Sequence, residues 1–191
     1  MNLPNRLTLS RIFLSLIFIF ILPLPGILAK TVSFFIFLVA SLTDYWDGQI
    51  ARTTGQITPL GRFLDPVADK ALTFSAFCGF VQLQLVPAWM VVLIVVRDLS
   101  ITGVRLLMPF DSKKIAAQKS GKHKTVIQFA AILFILSYLV FRETFFWHSS
   151  WEPISLQLIH GFMAWVVLVT LYSGVRYLYQ NRDIFSKNTS S

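Results

Sequence analysis

The sequence predicts an all-α integral membrane protein of six transmembrane helices with both termini on the cytoplasmic side. Three observations predict it. The 191 residues are 55% hydrophobic and only 14% charged, whereas soluble domains carry about 25% charged residues. Mean hydropathy is +0.65, and 18 Phe are spread through uncharged runs that a chain of this length cannot hide from water. The basic residues, finally, are segregated to one side of the runs. The length suits one domain, expected over residues 1–185 with a short polar tail at 186–191.

A helix needs about 20 mostly apolar residues to cross a bilayer, and six runs approach that length. The first, Ile12 to Leu28, follows Arg6 and Arg11 and is bent or ended by Pro23, Pro25 and Gly26. A cleaved secretory signal would begin the same way, but no clear small-x-small cleavage site follows and five further runs do. The second, Thr31 to Ile50, carries Asp44 and Asp47 near its end. The third, Pro66 to Val86, is separated by Pro87 from the fourth, Ala88 to Leu107, so that connection is very short. The fourth carries Arg97, Asp98 and Arg105; the fifth runs from Thr125 to Phe141 and the sixth from Ile154 to Tyr177. The second and fourth helices must project beyond the hydrocarbon or face a wet cavity, where their charges are hydrated or paired.

Six spans place both termini on one side. All of the 17 Lys and Arg except Lys30 and Arg142 fall on that side, if Arg97 and Arg105 are counted with the fourth connection. By the positive-inside rule that side is cytoplasmic. The net charge of +8 therefore points to anionic lipid head groups and not to nucleic acid. A single cysteine, Cys78, excludes an intramolecular disulfide and a thiolate metal site. Phe145, Phe146, Trp147 and Trp151 read as an interfacial belt, and His148 and His160 fall on the outer side.

Four of the nine acidic residues, Asp44, Asp47, Asp65 and Asp69, lie within one short stretch at the cytoplasmic ends of the second and third helices. On a helix Asp44 and Asp47 stand roughly 60° apart and Asp65 and Asp69 roughly 40° apart, so each pair shares a face. Two facing pairs would form one pocket of four carboxylates, whose mutual repulsion demands cationic balance. Hard oxygen ligands without His or Cys favour Mg²⁺, Mn²⁺ or Ca²⁺, and paired divalent ions suit displacement at phosphorus. Gly48 and Ala51 keep the adjoining face small, Arg52 offers a planar donor for phosphate oxygens, and Thr53 to Leu60 reads as a turn before Gly61. Taken singly, each aspartate is also what a solvated helix end carries, with Asp65 as a cap of the third helix. The four together, at these spacings, favour the metal pocket.

The segment DYWDGQIARTTGQITPLGRFLDPVAD, Asp44 to Asp69, resembles the signature of the CDP-alcohol phosphotransferases at every fixed position. The resemblance implies that family's six-helix membrane fold, a homodimer, and transfer of a phosphatidyl or similar group from a CDP-linked donor to an alcohol with release of CMP. It further implies an enzyme integral to the inner cell membrane with its active site facing the cytoplasm. By the same likeness Asp44, Asp47 and Asp65 are metal ligands, and Asp69 adds to the metal site and accepts the proton. Two Mg²⁺ (or Mn²⁺) ions are the implied cofactors. Gly48, Arg52, Thr58 and Gly61 match the donor-binding stretch.

Three looser stretches resemble one branch of the family, the phosphatidylglycerophosphate synthases: MNLPNRLTLSRI at the amino end, RDLSITGVR from Arg97, and KSGKHKTVIQ from Lys119. Arg-Asp stands here where that branch often has Arg-Glu. The likeness implies CDP-diacylglycerol as donor and sn-glycerol 3-phosphate as acceptor, with Asn5, Thr8 and Arg11 near the donor. An acceptor bearing its own phosphate suits Arg97, Arg105, Lys119, Lys122 and Lys124. As alternatives, Arg11 is an interfacial anchor, the lysines bind head groups, and His123 is solvated.

A cardiolipin synthase or a phosphatidylinositol-phosphate synthase of the same fold would keep all four aspartates. A cation transporter would need acidic residues near the midplane or along a path to the far side, and the outer halves of these helices carry none.

Overall fold

The computed structural model describes residues 3–54, 59–107, 120–144 and 151–180, with side chains described for 8–43, 67–68, 70–103, 125–144 and 151–180. Among the described residues there are six α-helices and no strand: α1 (Leu3–Ile21), α2 (Ile27–Thr54), α3 (Pro59–Gln82), α4 (Ala88–Leu107), α5 (Ser120–Thr144) and α6 (Glu152–Gln180).

Each expected run has its helix, and the bounds differ for identifiable reasons. α1 ends at Ile21 instead of Leu28, because Pro23, Pro25 and Gly26 cannot continue it. Gly26, at φ 94°, supplies a left-handed turn that a side chain would resist, and α2 starts at Ile27, before the expected Thr31. α3 starts at Pro59, seven residues before the apolar run, since proline is well tolerated in a first helical turn. Thr53 and Thr54 thus close α2 and Pro59 and Leu60 open α3, so the expected turn shrinks to residues 55–58, outside the described residues. The start at Pro59 also removes the cap role for Asp65, which lies in the second turn of α3. α4 has the expected bounds.

The α3–α4 connection is a Schellman closure. Leu85 N donates to Phe80 O at 2.9 Å and Gln84 N to Val81 O at 2.9 Å, while Gln84 takes the left-handed conformation at φ 58°. Phe80 and Leu85, the apolar pair such a closure brings together, are both buried.

Buried positions follow helical spacing. On α1 the inward stripe is Thr8, Arg11, Ser15 and Phe18, continued by Leu22 just past its end, polar in its first half and apolar in its second. α1 packs on α2 and α3; α3 also meets α4 and α5; α6 packs on α4 and α5. Phe37 of α2 joins Phe18 of α1 and Phe129 of α5, with ring centroids 6.1 and 5.6 Å away. The outer surface is apolar as well: Phe20 and Leu28 are each 76% exposed and Leu168 67%. Such a surface suits hydrocarbon better than water. Among the described residues, Thr125–Thr144 and Glu152–Gln180 are long and apolar enough to cross a membrane, and Thr8–Ile21 and Ile27–Thr43 form shorter apolar stretches. Of the expected aromatic belt, Trp151 is exposed, while Phe145, Phe146 and Trp147, with His148, lie outside the described residues.

Candidate functional site

The acidic motif is carried on two consecutive helices. Asp44, Asp47, Gly48 and Arg52 lie on α2, and Gly61, Asp65 and Asp69 on α3; their side chains are outside the described set. At 1.5 Å per residue, Asp44 sits about 15 Å and Asp47 about 10 Å from the end of α2, while Asp65 sits about 9 Å and Asp69 about 15 Å from the start of α3. The two helices touch, and the chain between Thr54 and Pro59 reaches at most about 17 Å, so the end of α2 lies near the start of α3.

The donor set at these positions is oxygen only, two carboxylates from each helix, and such a set fits hard divalent cations. Among the residues with described side chains, no group of three His, Cys, Asp or Glu could hold a metal.

One turn of α3 carries Asp69 and Lys70, and Lys70 reaches α4: its Nζ lies 3.8 Å from Oδ2 of Asp98. Asp98 is fully buried, and groups from three helices meet it. Arg97 Nη1 donates to Oδ1 at 2.8 Å, Gln128 Nε2 of α5 donates to Oδ2 at 3.3 Å, and Lys70 adds its charge. An isolated buried carboxylate would be strongly disfavoured; two cations and an amide donor make this one tenable. Arg97 Nη2 donates in turn to Ser173 Oγ of α6 at 2.9 Å. The stem of Arg97 lies against Gly174, where an added Cβ would stand 2.9 Å from Arg97 Cγ and 3.0 Å from Nε.

Of the charges expected at a helix end or in a wet cavity, Arg97 and Asp98 are paired inside the bundle, and the side chains of Asp44, Asp47 and Arg105 lie outside the described set. Arg97 belongs to the middle of α4, 8% exposed, and not to the connection that follows it. Arg11 is buried at 2% exposure, which removes its reading as an interfacial anchor, and Thr8 is buried beside it on the α1 stripe. Asn5 lies on α1, Arg105 on α4, and Lys122 and Lys124 on α5, each as a helix position without a described side chain; Thr58 and Lys119 fall outside the described residues. Lys70, Gln128, Ser173 and Gly174 were not singled out from the sequence. The adjacent small pair Ser173-Gly174 in α6 was the signal available.

A family model described as CDP-alcohol phosphatidyltransferase matches residues 1–172. The CDP-diacylglycerol–glycerol-3-phosphate 3-phosphatidyltransferase of Bacillus subtilis (strain 168) is 40% identical over 147 residues, covering 71% of this chain and 76% of its own. The enzyme of the same name from Salmonella paratyphi A is 36% identical over 141 residues, covering 71% and 76%. That from Rickettsia typhi is 28% identical over 177 residues, covering 92% of this chain and 94% of its own. The match runs through the aspartate-bearing helices, the buried Arg97–Asp98 turn and most of α6, and the chain belongs to the CDP-alcohol phosphatidyltransferase family.

Proposed function

We propose that this chain transfers the phosphatidyl group of CDP-diacylglycerol to the free primary hydroxyl of sn-glycerol 3-phosphate, giving phosphatidylglycerol phosphate and CMP. The observation that supports the reading is the set of four motif aspartates carried two each on the consecutive helices α2 and α3, in a chain whose relatives bear that enzyme's name. The inner side of an integral cell-membrane protein is its setting. Six spans, cytoplasmic termini, a catalytic domain over 1–185 and a homodimer complete the proposal.

The family is divalent-metal dependent as a class. Here Asp44, Asp47, Asp65 and Asp69 would hold two Mg²⁺ or Mn²⁺ ions, whose bound charge would offset that developing on the pyrophosphate oxygens. Asn5, Thr8, Gly48, Arg52, Thr58 and Gly61 bind the CDP-linked donor. Arg97, Arg105, Lys119, Lys122 and Lys124 attract the acceptor phosphate. The acceptor hydroxyl, whose pKa is far above 7, gives its proton to the Asp69 carboxylate as its oxygen bonds to the phosphatidyl phosphorus. The bond from that phosphorus to the CMP oxygen breaks, and CMP leaves with the electron pair.

The test is CMP release by purified protein in detergent with CDP-diacylglycerol and Mg²⁺, offering glycerol 3-phosphate, inositol phosphate or phosphatidylglycerol. Release driven by glycerol 3-phosphate alone is the expected result. Release with another acceptor only would overturn the acceptor assignment, and none with any acceptor in folded protein would overturn the transferase reading.

A further inference from the structure

The proposed acceptor group at Arg97 has no freedom of its own in this fold. Its guanidinium is tied at Nη1 to Asp98 and at Nη2 to Ser173, 2.8 and 2.9 Å away, and its stem lies where Gly174 has no side chain. Asp98 is tied in addition to Gln128 and to Lys70. Residues from α3, α4, α5 and α6 thus converge on one carboxylate and one guanidinium, and Lys70 is the chain neighbour of Asp69. The junction therefore sets the depth of Arg97 against the α3 turn that carries the proposed proton acceptor.

We infer that Asp98 and Ser173 are positioning residues for the acceptor: they orient the Arg97 guanidinium, with Gly174 providing the space, so that the acceptor phosphate is held at a fixed distance from Asp69. The inference rests on the reading of Arg97 as an acceptor-phosphate ligand. Geometry and charge then make opposite demands. If Asp98 acted only by its charge, neutralising it would strengthen attraction for a phosphate. Acting by orientation, its loss weakens binding, because a guanidinium recognises phosphate through the direction of its planar donors.

Steady-state kinetics with both substrates varied separately tests this. Ser173→Ala and Asp98→Asn are expected to raise the KM for glycerol 3-phosphate about tenfold, the scale set by one hydrogen bond to a charged group, while the KM for CDP-diacylglycerol moves less than about twofold. Ser173→Thr, which keeps the hydroxyl, restores the wild-type value. A lower or unchanged acceptor KM in either Ser173→Ala or folded Asp98→Asn overturns the inference, as does an equal rise in the two KM values. Should Asp98→Asn not fold, the Ser173→Ala and Ser173→Thr pair decides alone. Arg97→Lys separates this inference from the reading beneath it. If Arg97→Lys raises the acceptor KM and Ser173→Ala does not, the acceptor role of Arg97 stands and the positioning role falls. If Arg97→Lys leaves the acceptor KM unmoved, the acceptor role falls and the positioning role with it.

Discussion

The ammonium of Lys30 donates a 2.7 Å hydrogen bond to the carbonyl oxygen of Leu22 and a second, of 2.9 Å, to that of Leu24. These carbonyls follow the last residue of α1, where backbone acceptors have no helical partner. A charged donor from the first turn of α2 closes the α1–α2 hairpin from inside, at 3% exposure. Lys30→Met keeps the stem and removes the donor. It is expected to destabilise the fold by about 2 kcal/mol, the scale of charged hydrogen bonds, and to lower the thermal midpoint by several degrees. CMP release stays at the wild-type level, because Lys30 is about 21 Å along α2 from Asp44. Thermal unfolding followed by size-exclusion and the CMP assay check the two halves separately.

Gly79 lets α3 approach the end of α1. An added Cβ would stand 2.5 Å from Cδ2 of Leu22, and Leu22 is fully buried and cannot swing into open space. Gly79→Ala should cost about 1 to 3 kcal/mol by overpacking. Leu22→Ala alone leaves a cavity and should cost about 2 to 5 kcal/mol. The double variant Gly79→Ala with Leu22→Ala should be more stable than the sum of the singles predicts, because each change fills or vacates the same space. Additive thermal shifts across the cycle would refute the contact.

Gln84 holds a left-handed conformation in the α3–α4 turn, exposed to solvent and two residues beyond the end of α3. Gln84→Gly relieves that strain and is expected to stabilise the protein by about 0.5 to 1 kcal/mol, less than the full left-handed penalty because glycine also loosens the unfolded chain. A rise of a few degrees in the thermal midpoint with unaltered kinetics is the readout.

For the motif, Asp69→Asn removes the proposed proton acceptor while keeping the side chain's size. CMP release should fall about 10²- to 10⁴-fold, the range for general bases, with the protein still folded. Asp44→Asn, Asp47→Asn and Asp65→Asn should weaken metal activation too, shifting the Mg²⁺ concentration for half-maximal rate upward. Wild-type activity in any of the four would remove that residue from the proposed site.

Chelation with EDTA should abolish CMP release, and excess Mg²⁺ or Mn²⁺ should restore it, as expected if divalent charge offsets that of the pyrophosphate. Activity that survives exhaustive chelation would refute the metal assignment. Zn²⁺ should restore less, since it favours nitrogen and sulfur donors over four carboxylates.

By itself the sequence determined six helical runs, the turns at Pro23 to Gly26 and before Ala88, and the acidic motif at helical spacing, for local reasons. Hydropathy, proline and glycine act within a few residues of chain, and the spacing of Asp44, Asp47, Asp65 and Asp69 is a covalent fact. α4 is the clearest case, with both ends set by local signals. The bounds of α1 and α3 were less legible, because their polar first turns have no apolar run to mark them. Tertiary structure alone decided which charges are buried. Arg11, Lys30 and Arg97 all stand beside apolar runs in sequence, and all three are buried; Lys30 is held by carbonyls across a turn and Arg97 by Ser173 of α6 as well as by its neighbour Asp98. Arg97 and Ser173 are 76 residues apart, and no periodicity within one helix records that pairing. A buried charge is tolerable only where the fold brings its partner, so its place follows from how α3, α4, α5 and α6 pack together and not from the residues on either side of it.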